Sequence, residues 1–124
     1  MERTLYDAKG YPIAYIADDG ERSIYLWNGH AVAYIDDRLN CHGWNGQHLG
    51  WVEDGILFDH QGRRVGYLKA TCLNASHAEP AKGAKSLKQA KQAKGTPCTR
   101  PSRSTGVSNL ALADFLQAGA VGSA

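Results

Sequence analysis

Cysteine is scarce, and the little there is excludes two architectures. Cys41, Cys72 and Cys98 are odd in number and form no CxxC pair. Neither a disulfide framework nor a structural zinc site is indicated. No apolar run approaches the ~18 residues of a membrane span. The opening stretch, Met1-Glu2-Arg3-Thr4-Leu5-Tyr6-Asp7, has neither the basic start nor the apolar centre of a secretory signal. A cytoplasmic protein without a membrane span is expected. The chain also lacks a Gly-rich phosphate loop, a GxSxG elbow and an HExxH pair. No catalytic residue and no cofactor are therefore expected.

Aromatics, by contrast, are plentiful on one side of residue 70 and nearly absent on the other. Ten of the eleven lie in residues 1–70, and only Phe115 lies beyond. Charge divides at the same place. Residues 1–70 hold 7 Lys plus Arg against 10 Asp plus Glu, and residues 71–124 hold 7 against 2. The aromatic-free stretch 71–109 buries too little apolar surface to offset its ordering entropy. Three parts are expected: an acidic folded head over 1–70, a flexible Lys/Ala-rich linker over 71–109, and a short C-terminal docking segment over 110–124.

The head repeats itself four times. Aligned on Gly10, Gly29, Gly46 and Gly62, its units are 19, 17 and 16 residues apart. Four places after each glycine the residue is small: Ala14, Ala33, Gly50, Gly66. Next comes an aromatic (Tyr15, Tyr34, Trp51, Tyr67), then an aliphatic (Ile16, Ile35, Val52, Leu68). Five places before stand Leu5, Ile24, Cys41 and Leu57, and four before stand Tyr6, Tyr25, His42 and Phe58. Matching positions in four registers identify an internal repeat.

Each unit reads as a β-hairpin. Asn28-Gly29 and Asn45-Gly46 predict two-residue type I′ turns, in which both residues take positive φ. That turn pairs Tyr6 with Ile13, Tyr25 with Val32, His42 with Leu49 and Phe58 with Val65 across the strands. The aromatics then share one face and the aliphatics the other. Because both faces are apolar, each hairpin must be covered on both sides. An all-β domain follows: four tandem hairpins around a pseudo-fourfold axis, closed or toroidal, then a basic tail with a short C-terminal helix.

Leu5-Tyr6-Asp7-Ala8-Lys9-Gly10, Leu26-Trp27-Asn28-Gly29 with Ala33-Tyr34-Ile35-Asp36-Asp37, and Trp44-Asn45-Gly46 with Leu49-Gly50-Trp51 resemble the bacterial 4-fold beta flower domain. The resemblance covers residues 4–70 and extends to Leu110–Leu116, which ends in an acidic residue, Phe and Leu. Members usually carry Ser where Ala111 stands and a second acidic residue at Ala113. The resemblance implies a fold and no established activity, so it carries over no catalytic residue.

Several groups remain as candidates for chemistry or binding. Cys41, His42, His48 and His60 are the one cluster of metal-type residues, but Cys41 occupies a core position and the spacing is not that of a zinc site. A small metal-dependent enzyme is thus the weakest reading, and no metal site is expected. The acidic pairs Asp18-Asp19, Asp36-Asp37 and Glu53-Asp54 end three of the four units, as solvated connections do. Trp27, Trp44 and His60 stand at equivalent turn positions, where they either cap their hairpins or form a platform for a ligand.

The tail adds two more. Lys82, Lys85, Lys88, Lys91 and Lys94 recur every third residue, forming one ridge in an extended chain, suited to a polyanion such as nucleic acid without base specificity. The plainer reading is a tether resting on the acidic head. In residues 108–117, Ser108 is placed to cap a short helix on which Leu112 and Leu116 lie four apart, with Phe115 and Leu116 as candidate partner-binding residues. So short a helix is ordered only when docked, on its own head or on another protein. The leading expectation is a non-enzymatic interaction module whose partner is another protein or a second copy bound through residues 110–116.

Overall fold

The structure, a computed structural model, describes residues 2–72, 76–85, 94–96, 106–108 and 110–120. Its strands are β1 (Arg3–Tyr6), β2 (Pro12–Ile16), β3 (Ser23–Leu26), β4 (Ala31–Ile35), β5 (Asn40–Gly43), β6 (His48–Glu53), β7 (Ile56–Phe58) and β8 (Arg64–Tyr67). All pair antiparallel with their sequence neighbours, and Tyr6 pairs with Tyr67 to close a barrel. One short 3-10 turn (Lys69–Thr71) and one helix, α1 (Leu112–Gln117), follow. Among the described residues no helix is long and apolar enough to cross a membrane.

The four hairpin turns are alike, but they are not the type I′ turns expected. In each, the N–H three before the glycine donates to the carbonyl one after it, as in Asp7 N to Tyr11 O (3.0 Å) and Asp59 N to Arg63 O (2.9 Å). The glycine N–H returns to the first residue, and of the residues in these turns only the glycine has positive φ, between 76° and 95°. This is a type I turn closed by a bulge at glycine, which spares Lys9, Asn28, Asn45 and Gln61 the left-handed conformation. A true two-residue turn with both φ positive occurs elsewhere, at Asp54-Gly55 between β6 and β7.

The turn shifts the register. Tyr6 pairs with Pro12, Tyr25 with Ala31, His42 with His48 and Phe58 with Arg64, not with the residues one further on. Val32, Leu49 and Val65 become the extra residue of a second irregularity and join the interior core. Otherwise the two faces fall as alternation requires. Leu5, Ile24, Cys41 and Leu57 line the interior with Ala14, Ala33, Ile16, Ile35 and Leu68. The aromatics lie outside.

α1 fills the barrel's interior. Leu112, Phe115 and Leu116 are 1%, 5% and 0% exposed and belong to the same core as the inward strand residues. An eight-stranded barrel leaves just enough room for side chains to fill. Here the small residues four after each turn glycine make that room: a methyl on Gly66 would stand 2.9 Å from Leu112 Cδ1, and one on Gly50 3.1 Å from Phe115 Cζ. The helix begins at Ala111, which offers no side-chain cap. Ser108, the expected cap, instead donates its hydroxyl to Asp59 Oδ2 at 2.6 Å. Six residues do not hold a helix in water, so α1 owes its order to burial worth about 1.5–3 kcal/mol per large apolar side chain.

Candidate functional site

Between successive hairpins the outer aromatics meet in a recurring group. Tyr15 pairs with Tyr25, Tyr34 with His42, Trp51 with Phe58 and Tyr67 with Tyr6. In three of the four, the residue two before the next turn glycine packs edge-on against the first of the pair: Trp27 on Tyr15 (5.8 Å between centroids, 88°), Trp44 on Tyr34 (5.8 Å, 88°) and His60 on Trp51 (5.8 Å, 71°). Trp27 and Trp44 therefore serve different seams and form no common platform. Trp44 is buried and Trp27 half-buried, its Nε1 donating to Pro80 O at 3.2 Å.

Pro80 belongs to a strap that visits the turns in order. His77 N donates to Gly10 O, Gly83 N to Trp27 O and Gly95 N to Gly46 O, at 2.8, 2.8 and 2.7 Å. Gly106 O accepts from Arg64 N, and Ser108 N returns to Arg64 O. Three of the five ridge lysines engage the acidic head, as a tether resting on it would. Lys82 and Lys85 reach Glu2 at 3.0 and 2.7 Å, and Lys94 reaches Asp36 at 3.2 Å. Lys88 and Lys91 lie outside the described residues.

The acidic connections serve the chain's own turns. Asp36 Oδ1 accepts from Arg38 N and Asn40 N, and Asp19 Oδ1 from Glu21 N and Ser23 N. Partial burial alone would raise the Asp36 pKa, but hydrogen bonds from Asn40, Lys94 and Arg38 outweigh it and hold the carboxyl far below its ordinary value. The turn from Asp36 to Leu39 repeats the hairpin geometry with Leu39, φ 65°, where the others have glycine.

From Asp36 a chain of polar side chains runs along β5 and β6. Asn40 Nδ2 donates to Asp36 Oδ2 (3.1 Å), so Asn40 Oδ1 faces His48 Nε2 at 3.2 Å. An amide oxygen only accepts, so His48 carries its proton on Nε2 and accepts one on Nδ1 from His60 Nε2, 3.1 Å away. Cys41 stands apart from this chain. It faces the interior, fully buried, and burial pushes its thiol pKa up to about 12, which keeps it protonated. Among the described residues no three His, Cys, Asp or Glu are placed to hold a metal ion.

His42, stacked on Tyr34, is fully buried with Nε2 3.3 Å from Asp36 Oδ2, and neither ring nitrogen makes a well-aligned hydrogen bond. Burial lowers its pKa against the opposing pull of Asp36. As pH falls below about 6.5, the unfolded chain takes up a proton that the folded one resists, and stability drops. Phe58 occupies the matching place in the fourth unit. His42→Phe is expected to flatten this acid-side loss and raise Tm at pH 5 by roughly 4–8 °C, or about 1 kcal/mol. Thermal melts of both proteins at pH 5 and pH 8 check it; equal shifts at the two pH values would refute it.

His60, exposed at the end of this polar chain, rims a cleft of about 410 Å³ between the third and fourth turns and the C-terminal segment. Leu49, Leu110 and Phe115 supply its apolar wall, and Asp59, Asp114, Gln47 and Gln61 its polar edge. Of the residues singled out from sequence, His60 and Phe115 meet here, while Leu116 lies inside the barrel. Leu110, 52% exposed, and Asp114 belong to the expected docking segment, but their place beside the turns escapes sequence reasoning because only docking of α1 brings them there. The repeat could have flagged Gln47 and Gln61, since both flank turn glycines. Comparison with family models matches residues 3–116 to the 4-fold beta flower protein. No curated protein and no solved structure matches the chain.

Proposed function

The chain belongs to the 4-fold beta flower family, and on that premise we propose that it is a non-enzymatic interaction module that binds a protein partner in the cleft beside His60. The observation that carries this reading is the cleft's composition. Leu49, Leu110 and Phe115 share the cleft's lining with Asp114 and with Asp59, whose carboxylate also accepts from Gln61 N, Arg63 N and the Ser108 hydroxyl. Concave apolar surface with a few converging polar groups is the common form of a binding site. The matching ligand is a peptide segment with a large apolar side chain next to a Lys or Arg. Residues 110–116 contribute by building one wall, with Leu112 and Leu116 spent on the barrel and Phe115 shared between barrel and cleft.

Polyanion binding through the Lys82–Lys94 ridge is the alternative, and the geometry favours it less. Lys82, Lys85 and Lys94 each face a carboxylate of the head, which a polyanion would first have to displace.

Selection of a random peptide display library on the full chain tests the cleft. Enriched peptides should pair an apolar residue with an adjacent base and lose at least tenfold in affinity for Leu110→Asp, an exposed change with little effect on Tm. Enrichment of acidic peptides, or affinities unchanged by Leu110→Asp, would sink the reading.

A further inference from the structure

The first seam of the barrel holds two lysine ammonium groups among aromatic rings. Tyr15, Tyr25 and Trp27 form its aromatic walls, and Glu2 stands at its edge. Lys82 Nζ lies 4.4 Å from the Tyr15 ring centroid and 5.2 Å from that of Trp27. Lys85 Nζ lies 5.7 Å from Tyr15 and 5.3 Å from Tyr25. Both also pair with Glu2. A cation within about 6 Å of several ring faces and beside a carboxylate is the arrangement by which proteins recognise alkylammonium ligands.

The backbone between the two lysines is read as well. Gly83 N donates to Trp27 O, and a methyl on Gly83 would overlap the Asn28 carbonyl. Only glycine fits between the lysine at position 82 and the residue that follows. The sequence accepted is therefore Lys-Gly-x-Lys. The next seam holds a second lysine–glycine pair by different contacts, without the aromatic cradle. Lys94-Gly95 follows twelve residues later, with Lys94 on Asp36 and Gly95 N on Gly46 O, where an added methyl would stand 3.0 Å from that oxygen. Two lysine–glycine pairs of the strap thus lie on the head at successive turns.

We infer that the Tyr15–Tyr25–Trp27 seam is a peptide-binding site for Lys-Gly-x-Lys segments, occupied in cis by residues 82–85 and able to take such a segment from another protein when the strap leaves. This is independent of the cleft beside His60. A tethered segment competes at an effective concentration in the millimolar range. The intact protein therefore hides the site from weaker external ligands, and release of the strap opens it.

A peptide spanning residues 80–86, Pro-Ala-Lys-Gly-Ala-Lys-Ser, serves as the probe, with Trp27 fluorescence and calorimetry as readouts. The full chain carrying Lys82→Ser and Lys85→Ser should bind it at least tenfold more tightly than the unaltered chain. Adding Glu2→Gln, or replacing both peptide lysines with serine, should abolish the gain. Equal affinities for the unaltered and doubly substituted chains, or retention of the gain with the serine peptide, would overturn the inference. Should the double variant fail to fold, the unaltered chain at millimolar peptide decides the matter. Its Trp27 emission must then change with the lysine peptide and stay constant with the serine one.

Discussion

Phe115→Ala is expected to cost about 3–5 kcal/mol and to leave the chain largely unfolded near 40 °C. Phe115 lies more than forty residues beyond the last strand, past a stretch of lysine, alanine and serine, yet its ring is 5% exposed inside the barrel. Its loss opens a cavity that the closed hydrogen-bonded ring of strands cannot collapse to fill. Small domains hold only about 5–15 kcal/mol in all, so one such loss takes a large share. It also unseats α1, because Leu112 and Leu116 are held by the same docking and a six-residue helix has no stability of its own. Urea denaturation gives the test. The midpoint should fall steeply, and a variant ending at Ala70 should behave at least as badly. A stable, monomeric variant ending at Ala70 would show that the barrel does not need its helix.

Gly50→Ala should be nearly as damaging, at about 3 kcal/mol or more. Ala33 occupies the matching position of the second unit, so alignment of the repeats alone makes the change look harmless. The surroundings differ. A methyl on Gly50 would overlap the Phe58 carbonyl oxygen on the neighbouring strand and stand 3.1 Å from Phe115 Cζ. Relief requires moving β7, whose Phe58 pairs with Trp51, and the helix ring at once. Ala33→Gly is the companion measurement, expected to cost about 1 kcal/mol through chain entropy and a lost contact. If the two substitutions prove equally mild, the close approach at Gly50 has been misjudged.

Much of the barrel was readable because its signals are local. Period-two alternation around a repeated glycine is enough to place Tyr15 and Tyr25 on one face and Leu5 and Ile16 on the other. The small residue four after each glycine could be read as a place of close approach, and at Gly50 it is one. Turn type was harder. Asn-Gly suits a type I′ turn and a type I turn with a glycine bulge equally well, and the choice depends on whether Asn28 itself takes positive φ. That choice moved Val32, Leu49 and Val65 from the aromatic face to the core. The cleft was not readable, and of the strap only its resting on the acidic head was, for a different reason. Ser108 finds Asp59 across 49 residues, and Lys85 finds Glu2 across 83. Where the strap is bound through its own backbone N–H groups, the side chains carry no trace except the glycines that let the chain come close.

A barrel of four like units offers its plug four nearly equivalent rotational registers, a quarter turn apart. Two missing methyl groups break that degeneracy. Gly50 and Gly66 leave space beside Phe115 and Leu112 that the alanines at 14 and 33 fill. The helix is thus keyed to the third and fourth units, and the cleft beside His60 lies at the turns of those two. A symmetric scaffold obtains a single front by subtraction, and restoring symmetry at those two positions would erase the address rather than the architecture.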